Sequence, residues 1–203
     1  MKQNTPKATS EARHAWLEAA TVHCADLLAQ AAHPVPNKVR VSIGFAFGTR
    51  RAIGQCWPAQ RSSDGHFEIV VSPVLSDSVE ILATLIHELC HAAVGVEHGH
   101  KAPFRKAALA VGLEGKMTAT QAGPELAATF KRYAERVGAY PAGKVNPDEG
   151  RKKQTTRLVK VECGECGYVA RVTRKWLDEA GAPHCPNHGA MKAETQDEGD
   201  DDQ

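Results

Sequence analysis

Apolar residues recur at three- and four-residue steps through Val79, Leu82, Ala83, Ile86, Leu89, Cys90 and Ala93. That period predicts a buried helix. Trp16, Ala20, His23 and Leu27 share one face of an earlier helix beginning at Ser10 and ended by Pro34 and Pro36. Phe104, Ala107, Ala108 and Val111 mark a short helix, with Pro103 suited to its first turn and Gly112 near its end. A last helix is predicted from about Pro124 to Val137, with Ala127, Phe130, Ala134 and Val137 on one face and Tyr133 beside it. Between the first helix and the Val79 helix the period changes to two. Lys38–Phe47 puts Val39, Val41, Ile43, Phe45 and Phe47 on one side; Arg51–Trp57 and His66–Ser72 are two further strands, with turn residues from Pro58 to Gly65. Short strands joined by brief loops predict an antiparallel sheet. The expected class is α+β: a small antiparallel three-stranded sheet packed on helices over residues 10–138.

Past Val137 the pattern lapses. Residues 139–156 hold Pro141, Gly143, Pro147 and Gly150 and few apolar positions, so they read as a linker. Tyr168–Arg174 alternates like a strand inside a small module spanning 157–192. Residues 193–203 are acidic, without an apolar period, and are expected to be disordered.

The composition narrows the classes. At 203 residues and 42% apolar content, one medium domain and a small module can each be built. The net charge of +1 excludes a polycation, and no apolar run reaches the length of a membrane helix. The first residues, MKQNTPKATSEARHAW, lack an apolar signal core, so a cytoplasmic location is expected, with association to the nucleoid left open. Six cysteines, three of them in a metal-like pattern, fit a reducing compartment.

Chemistry concentrates on the Val79 helix. His87-Glu88-Leu89-Cys90-His91 has the spacing H-E-x-x-H. Residues four apart on a helix lie about 40° out of line on one face, so His87 and His91 can ligate one ion. Glu88 then reaches a water on that ion as general base. A catalytic zinc takes a third protein ligand. The metzincin positions for it hold Val94 and Glu97, which excludes that pattern. Glu114 and Glu125 are candidates of the thermolysin type; the more economical candidate is His100, just before the Phe104 helix, with His98 and Glu97 as rivals. His14, His23, His33 and His66 have no ligand spacing, and Cys90 reads as a core residue.

A second metal pattern lies in the small module. Cys163-Gly-Glu-Cys166 and Cys185-Pro-Asn-His188 are two hooks separated by 18 residues, the spacing of a structural zinc site. His188 occupies the place of the last ligand, and His184 is the alternative. Around the hooks, Arg157, Lys160, Tyr168, Arg171, Arg174, Lys175 and Trp176 combine positive charge with aromatic faces, as single-stranded nucleic acid requires. A solvated basic face with core aromatics is the competing reading.

HELCH followed by GHKAPF resembles the SprT-like zinc metalloprotease family, which includes Spartan-like DNA-dependent proteases. The resemblance extends roughly over residues 10–192. It implies His87, His91 and His100 as ligands of a catalytic zinc, Glu88 as general base, and a C-terminal zinc ribbon held by Cys163, Cys166, Cys185 and His188. It further implies a zinc endopeptidase with two Zn(2+) sites, acting on DNA-associated and crosslinked proteins, with single-stranded DNA as a partner. The alternative is a nucleic-acid-binding zinc protein without catalytic activity.

Overall fold

The computed structural model describes residues 9–49, 51–150 and 158–193. They form two compact units, Met1–Pro147 and Asp148–Gln203. The expected disordered tail lies outside the described residues, apart from Ala193.

The first unit is built on one buried helix. Helix α1 (Ser10–Gln30) starts where the Thr9 side chain accepts the Ala12 N–H at 3.1 Å. Strands β1 (Val39–Ile43), β2 (Gly54–Trp57) and β3 (Phe67–Val71) follow. Helix α2 (Ser78–Val94) comes next; Asp77 Oδ1 caps it by accepting from the Val79 and Glu80 N–H groups at 2.9 and 3.0 Å. Ile81, Leu82, Leu85, Ile86 and Leu89 of α2 are fully buried. Each contributes roughly 1.5–3 kcal/mol of gross hydrophobic stabilisation. Helix α3 (Ala102–Ala110), the hairpin β4 (Leu113–Lys116) and β5 (Ala119–Ala122), and helix α4 (Pro124–Val137) complete the unit.

Three sequence expectations are corrected here. The sheet is mixed: its order is β1-β3-β2, with β1 parallel to β3 and only β2 antiparallel to it. Strands β1 and β2, adjacent in sequence, are not adjacent in space, because β3 inserts between them. The predicted strands are also shorter, since the chain leaves the sheet at Gly44 and rejoins it only at Gly54. Lastly, the start of the expected linker is pinned to the first unit. Trp16 Nε1 donates to the Gly138 carbonyl at 2.9 Å, the Tyr140 N–H to Ser78 Oγ at 2.9 Å and the Val145 N–H to the Pro73 carbonyl at 2.7 Å. Tyr140 is buried against Trp16, with ring centroids 5.3 Å apart. A single aromatic anchor with backbone partners outweighs a linker-like composition.

The second unit has strands β6 (Leu158–Glu162) and β7 (Val169–Thr173), helix α5 (Arg174–Ala180), and short strands β8 (His184–Cys185), β9 (Gly189–Ala190) and β10 (Lys192–Ala193). Its buried cluster is Val161, Cys163, Cys185 and Met191. Strand β7 falls within the predicted Tyr168–Arg174, and helix α5 follows it where no element was predicted; Thr173 caps the helix by accepting the Trp176 N–H. No helix among the described residues is long and apolar enough to cross a membrane.

Candidate metal centres

Helix α2 carries His87, Glu88 and His91 within one turn. Gly95 ends the helix at φ 98°, and Gly99 at φ 50° turns the chain again, a backbone that favours glycine. His100 thereby comes back over α2. Phe104 of α3 packs against all three imidazoles, with ring centroids 4.8 Å from His87, 4.3 Å from His91 and 4.9 Å from His100. His100 Nε2 lies 3.2 Å from His87 Nε2 and 3.3 Å from His91 Nε2. Nitrogens bound to one tetrahedral zinc at 2.0–2.1 Å stand about 3.3 Å apart. The trio therefore has the dimensions of a single-ion site. Burial lowers the pKa of His87 to about 3 and of His91 to about 4, reinforced by the neighbouring imidazoles, and lowers that of His100. Neutral rings are the ligating form.

The rivals for third ligand are elsewhere. His98 faces Glu97 at 3.9 Å and is outside the convergent group, as are Glu97, Glu114 and Glu125.

Glu88 is buried, in a cavity of about 440 Å³ that the three histidines also line. Gly54 of β2 makes room for it: a methyl group there would land on Glu88 Oε1 and lie 2.8 Å from Thr84 Cγ2. Burial raises the Glu88 carboxyl from its ordinary 4.5 to about 8. This has a sign that can be tested in chelated protein. Below pH 4.5 the carboxyl is protonated whether folded or unfolded; from there to pH 8 the unfolded chain loses the proton and the folded chain keeps it. Stability then falls as pH rises, by at most about 1.4 kcal/mol per pH unit. Glu88→Gln removes this loss. Urea midpoints of the metal-free proteins at pH 5, 6, 7 and 8 are expected to diverge, with the variant increasingly the more stable; parallel curves would contradict the burial of an uncompensated carboxyl.

One site residue was not seen in the sequence. Thr120 Oγ1 of β5 lies 2.8 Å from His87 Nδ1. Its hairpin, GLEGKMTATQAG, is too polar for its alternation to stand out; the glycines at 112, 115 and 123 were the available signal.

In the second unit Cys163, Cys166, Cys185 and His188 converge. Cys166 Sγ is 3.7 Å from Cys185 Sγ, which is 3.6 Å from His188 Nδ1. Tetrahedral zinc with S at 2.3 Å and N at 2.0–2.1 Å implies about 3.8 and 3.6 Å. Gly167, at φ 71°, closes the first hook by donating to the Cys163 carbonyl at 3.0 Å. Backbone N–H groups of Cys166 and Glu165 lower the Cys163 thiol to about 7, favouring the thiolate. His184, the alternative ligand, is exposed on β8 and outside the group.

The basic and aromatic candidates are distributed unevenly. Lys160 and Arg171 are cross-strand neighbours on β6 and β7, though Lys160 also pairs with Glu162 at 2.6 Å. Tyr168 is 50% and Trp176 58% exposed, so neither is a core aromatic. Lys175 Nζ stands 5.1 Å from the Trp176 ring centroid, and Arg174 is exposed at the start of α5. Arg157 lies outside the described residues.

The SprT-like family model matches residues 23–123, from α1 through β5, and so includes the sheet, α2, His100 and Thr120. The match ends before the second unit, short of the roughly 10–192 that the resemblance suggested. No curated protein and no solved structure matches the chain. With the family match falling on the histidine trio and the helix that bears it, the chain belongs, through its first unit, to the SprT-like family, which is generally one of zinc metalloproteases.

Proposed function

We propose that the protein is a zinc-dependent endopeptidase that acts on DNA-associated proteins. The observation carrying this is Glu88, a buried carboxyl in the same cavity as three convergent imidazoles. A purely structural site has no use for a proton carrier there.

His87, His91 and His100 hold the ion. Zinc bound there supplies Lewis acidity, lowering the pKa of water and polarising a carbonyl. Glu88 takes a proton from the attacking water and returns it to the leaving amine. Beside a bound cation its carboxylate form is favoured, against the effect of burial.

Substrate enters along β2, an edge strand. Ile53 accepts the Ser72 N–H at 2.8 Å, whereas Val71, opposite Gly54, directs its carbonyl to Gly44. In an antiparallel pair these roles alternate, so Gly54 and Cys56 turn their backbone groups to the open edge. An extended peptide adding there would pass the cavity of Glu88. The four ligands of the second unit hold a structural zinc. Exposed Tyr168 and Trp176, with Arg171, Arg174 and Lys175, support single-stranded DNA as the partner of that unit.

The test is cleavage of a DNA-binding protein by the zinc-loaded full chain, with and without single-stranded DNA, beside a salt series of DNA affinity. Cleavage is expected to require DNA, and affinity to fall steeply with salt. Cleavage indifferent to DNA would give the second unit another partner. Intact DNA binding with no cleavage under any condition would favour a non-catalytic zinc protein.

A further inference from the structure

We propose that Thr120 is a positioning residue for His87, its hydroxyl accepting the Nδ1 proton and so fixing the tautomer that leaves Nε2 free to bind the metal. The inference rests on the reading that the histidine trio holds zinc.

The geometry carries it. His87 has two ring nitrogens with two different neighbours: Nδ1 is 2.8 Å from Thr120 Oγ1, and Nε2 is 3.2 Å from His100 Nε2. A neutral imidazole has one N–H and one lone pair, so the partner of one nitrogen decides the role of the other. A hydroxyl can accept or donate. If it donated to Nδ1, the proton would sit on Nε2 and block ligation; ligation therefore requires the accepting orientation.

Thr120 is delivered by the fold. Strands β4 and β5 pair from Leu113↔Ala122 to Lys116↔Ala119, leaving a two-residue turn at Met117 and Thr118. Along β5 the exposure alternates, so Thr120 and Ala122 face inward and Ala119 and Gln121 outward. Ala122 packs on the core of the first unit, and Leu113 is fully buried in it. At the base, the Gly123 N–H donates to the Gly112 carbonyl at 2.9 Å. The strand is thus anchored at the base of the hairpin, two and three residues beyond Thr120. His91 offers the contrast: its buried Nδ1 has no hydrogen-bond partner among the described residues, so the hairpin orients His87 in particular.

The test uses the full chain, Thr120→Val, which keeps the shape and removes the acceptor, and Thr120→Ser, which restores it. Cobalt separates the sites, because only the cysteine site gives a thiolate charge-transfer band, whereas the histidine site gives d–d bands alone. Thr120→Val is expected to weaken metal binding at the histidine site by about 10–100-fold, and Thr120→Ser to return it close to wild type. In long-range 1H–15N spectra the neutral His87 of metal-free wild type and Thr120→Ser should carry its proton on Nδ1, and zinc loading should leave that proton slow to exchange; in Thr120→Val the metal-free preference and the slow exchange should both be lost. Equal affinities in all three proteins, equal weakening by Ser and Val, or a neutral His87 that carries its proton on Nε2 in the metal-free wild type would each overturn the proposal. The tautomer of the metal-free ring is read on the wild type alone, so it decides the matter even where Thr120→Val does not fold. A wild-type trio that takes up no metal would instead sink the zinc reading, and this inference with it.

Discussion

Glu88→Gln is expected to lower kcat/KM for peptide hydrolysis by about 10²–10⁴-fold, the range for loss of a general acid–base group, while zinc content stays at the wild-type level. The substitution is nearly isosteric, and the slot over Gly54 that admits the carboxyl admits the amide. The three imidazoles remain in place, because Phe104 and the two glycine turns orient them, not Glu88. What is lost is a group able to take and return a proton at neutral pH. Peptidase assays beside metal analysis check this. A variant that cleaves at the wild-type rate would remove Glu88 from the mechanism; one that has lost its zinc would show that Glu88 supports the site instead.

The second large effect concerns the other metal centre. Chelation, or Cys185→Ser, is expected to unfold the second unit and leave the first folded. Two of the four members of the second unit's buried cluster, Cys163 and Cys185, are themselves proposed ligands; among the described residues Val161 and Met191 are the other buried members, with Ala170, Val172, Leu177 and Ala193 packed half-buried against them. So small a core cannot offset the conformational entropy of ordering the module. Metal binding of the order of 10–16 kcal/mol is what closes the gap in such domains. The first unit keeps its own cluster, including Leu85, Ile86, Leu89, Phe104 and Phe130. Limited proteolysis should therefore cut the chelated chain within 158–193 while a fragment containing α1 to α4 persists, and DNA affinity should fall with the second unit. Simultaneous loss of helical signal and of the second unit in one transition would refute the separation of the two cores.

Much of this was open to inspection in the chain itself. The helices could be read because an apolar stripe at 3.6-residue spacing is a local property: Pro124–Val137 is both the predicted and the observed extent of α4. The metal ligands could be nominated for a related reason. His87 and His91 are brought together by the pitch of one helix, and each pair of second-unit ligands by one tight turn. The Asp77 cap is local in the same sense, its side chain reaching N–H groups two and three residues ahead.

What the chain itself determined, then, is whatever depends on residues within about a turn of one another: helix positions, the H-E-x-x-H face, the two hooks and their glycines. Tertiary structure alone decided the rest. It decided for His100 over His98, two residues apart, because the choice depends on how Gly95 and Gly99 redirect the chain beneath Phe104. It decided the mixed sheet, since the insertion of β3 between β1 and β2 is a long-range pairing that period-two patterning leaves open. It also placed Gly54 under Glu88 and Thr120 against His87. Both contacts join segments more than thirty residues apart through a hydrogen atom in one case and a hydroxyl in the other. Residues so small and so polar add nothing to hydrophobic periodicity, and only the packing of the sheet and hairpin on α2 reveals what they hold.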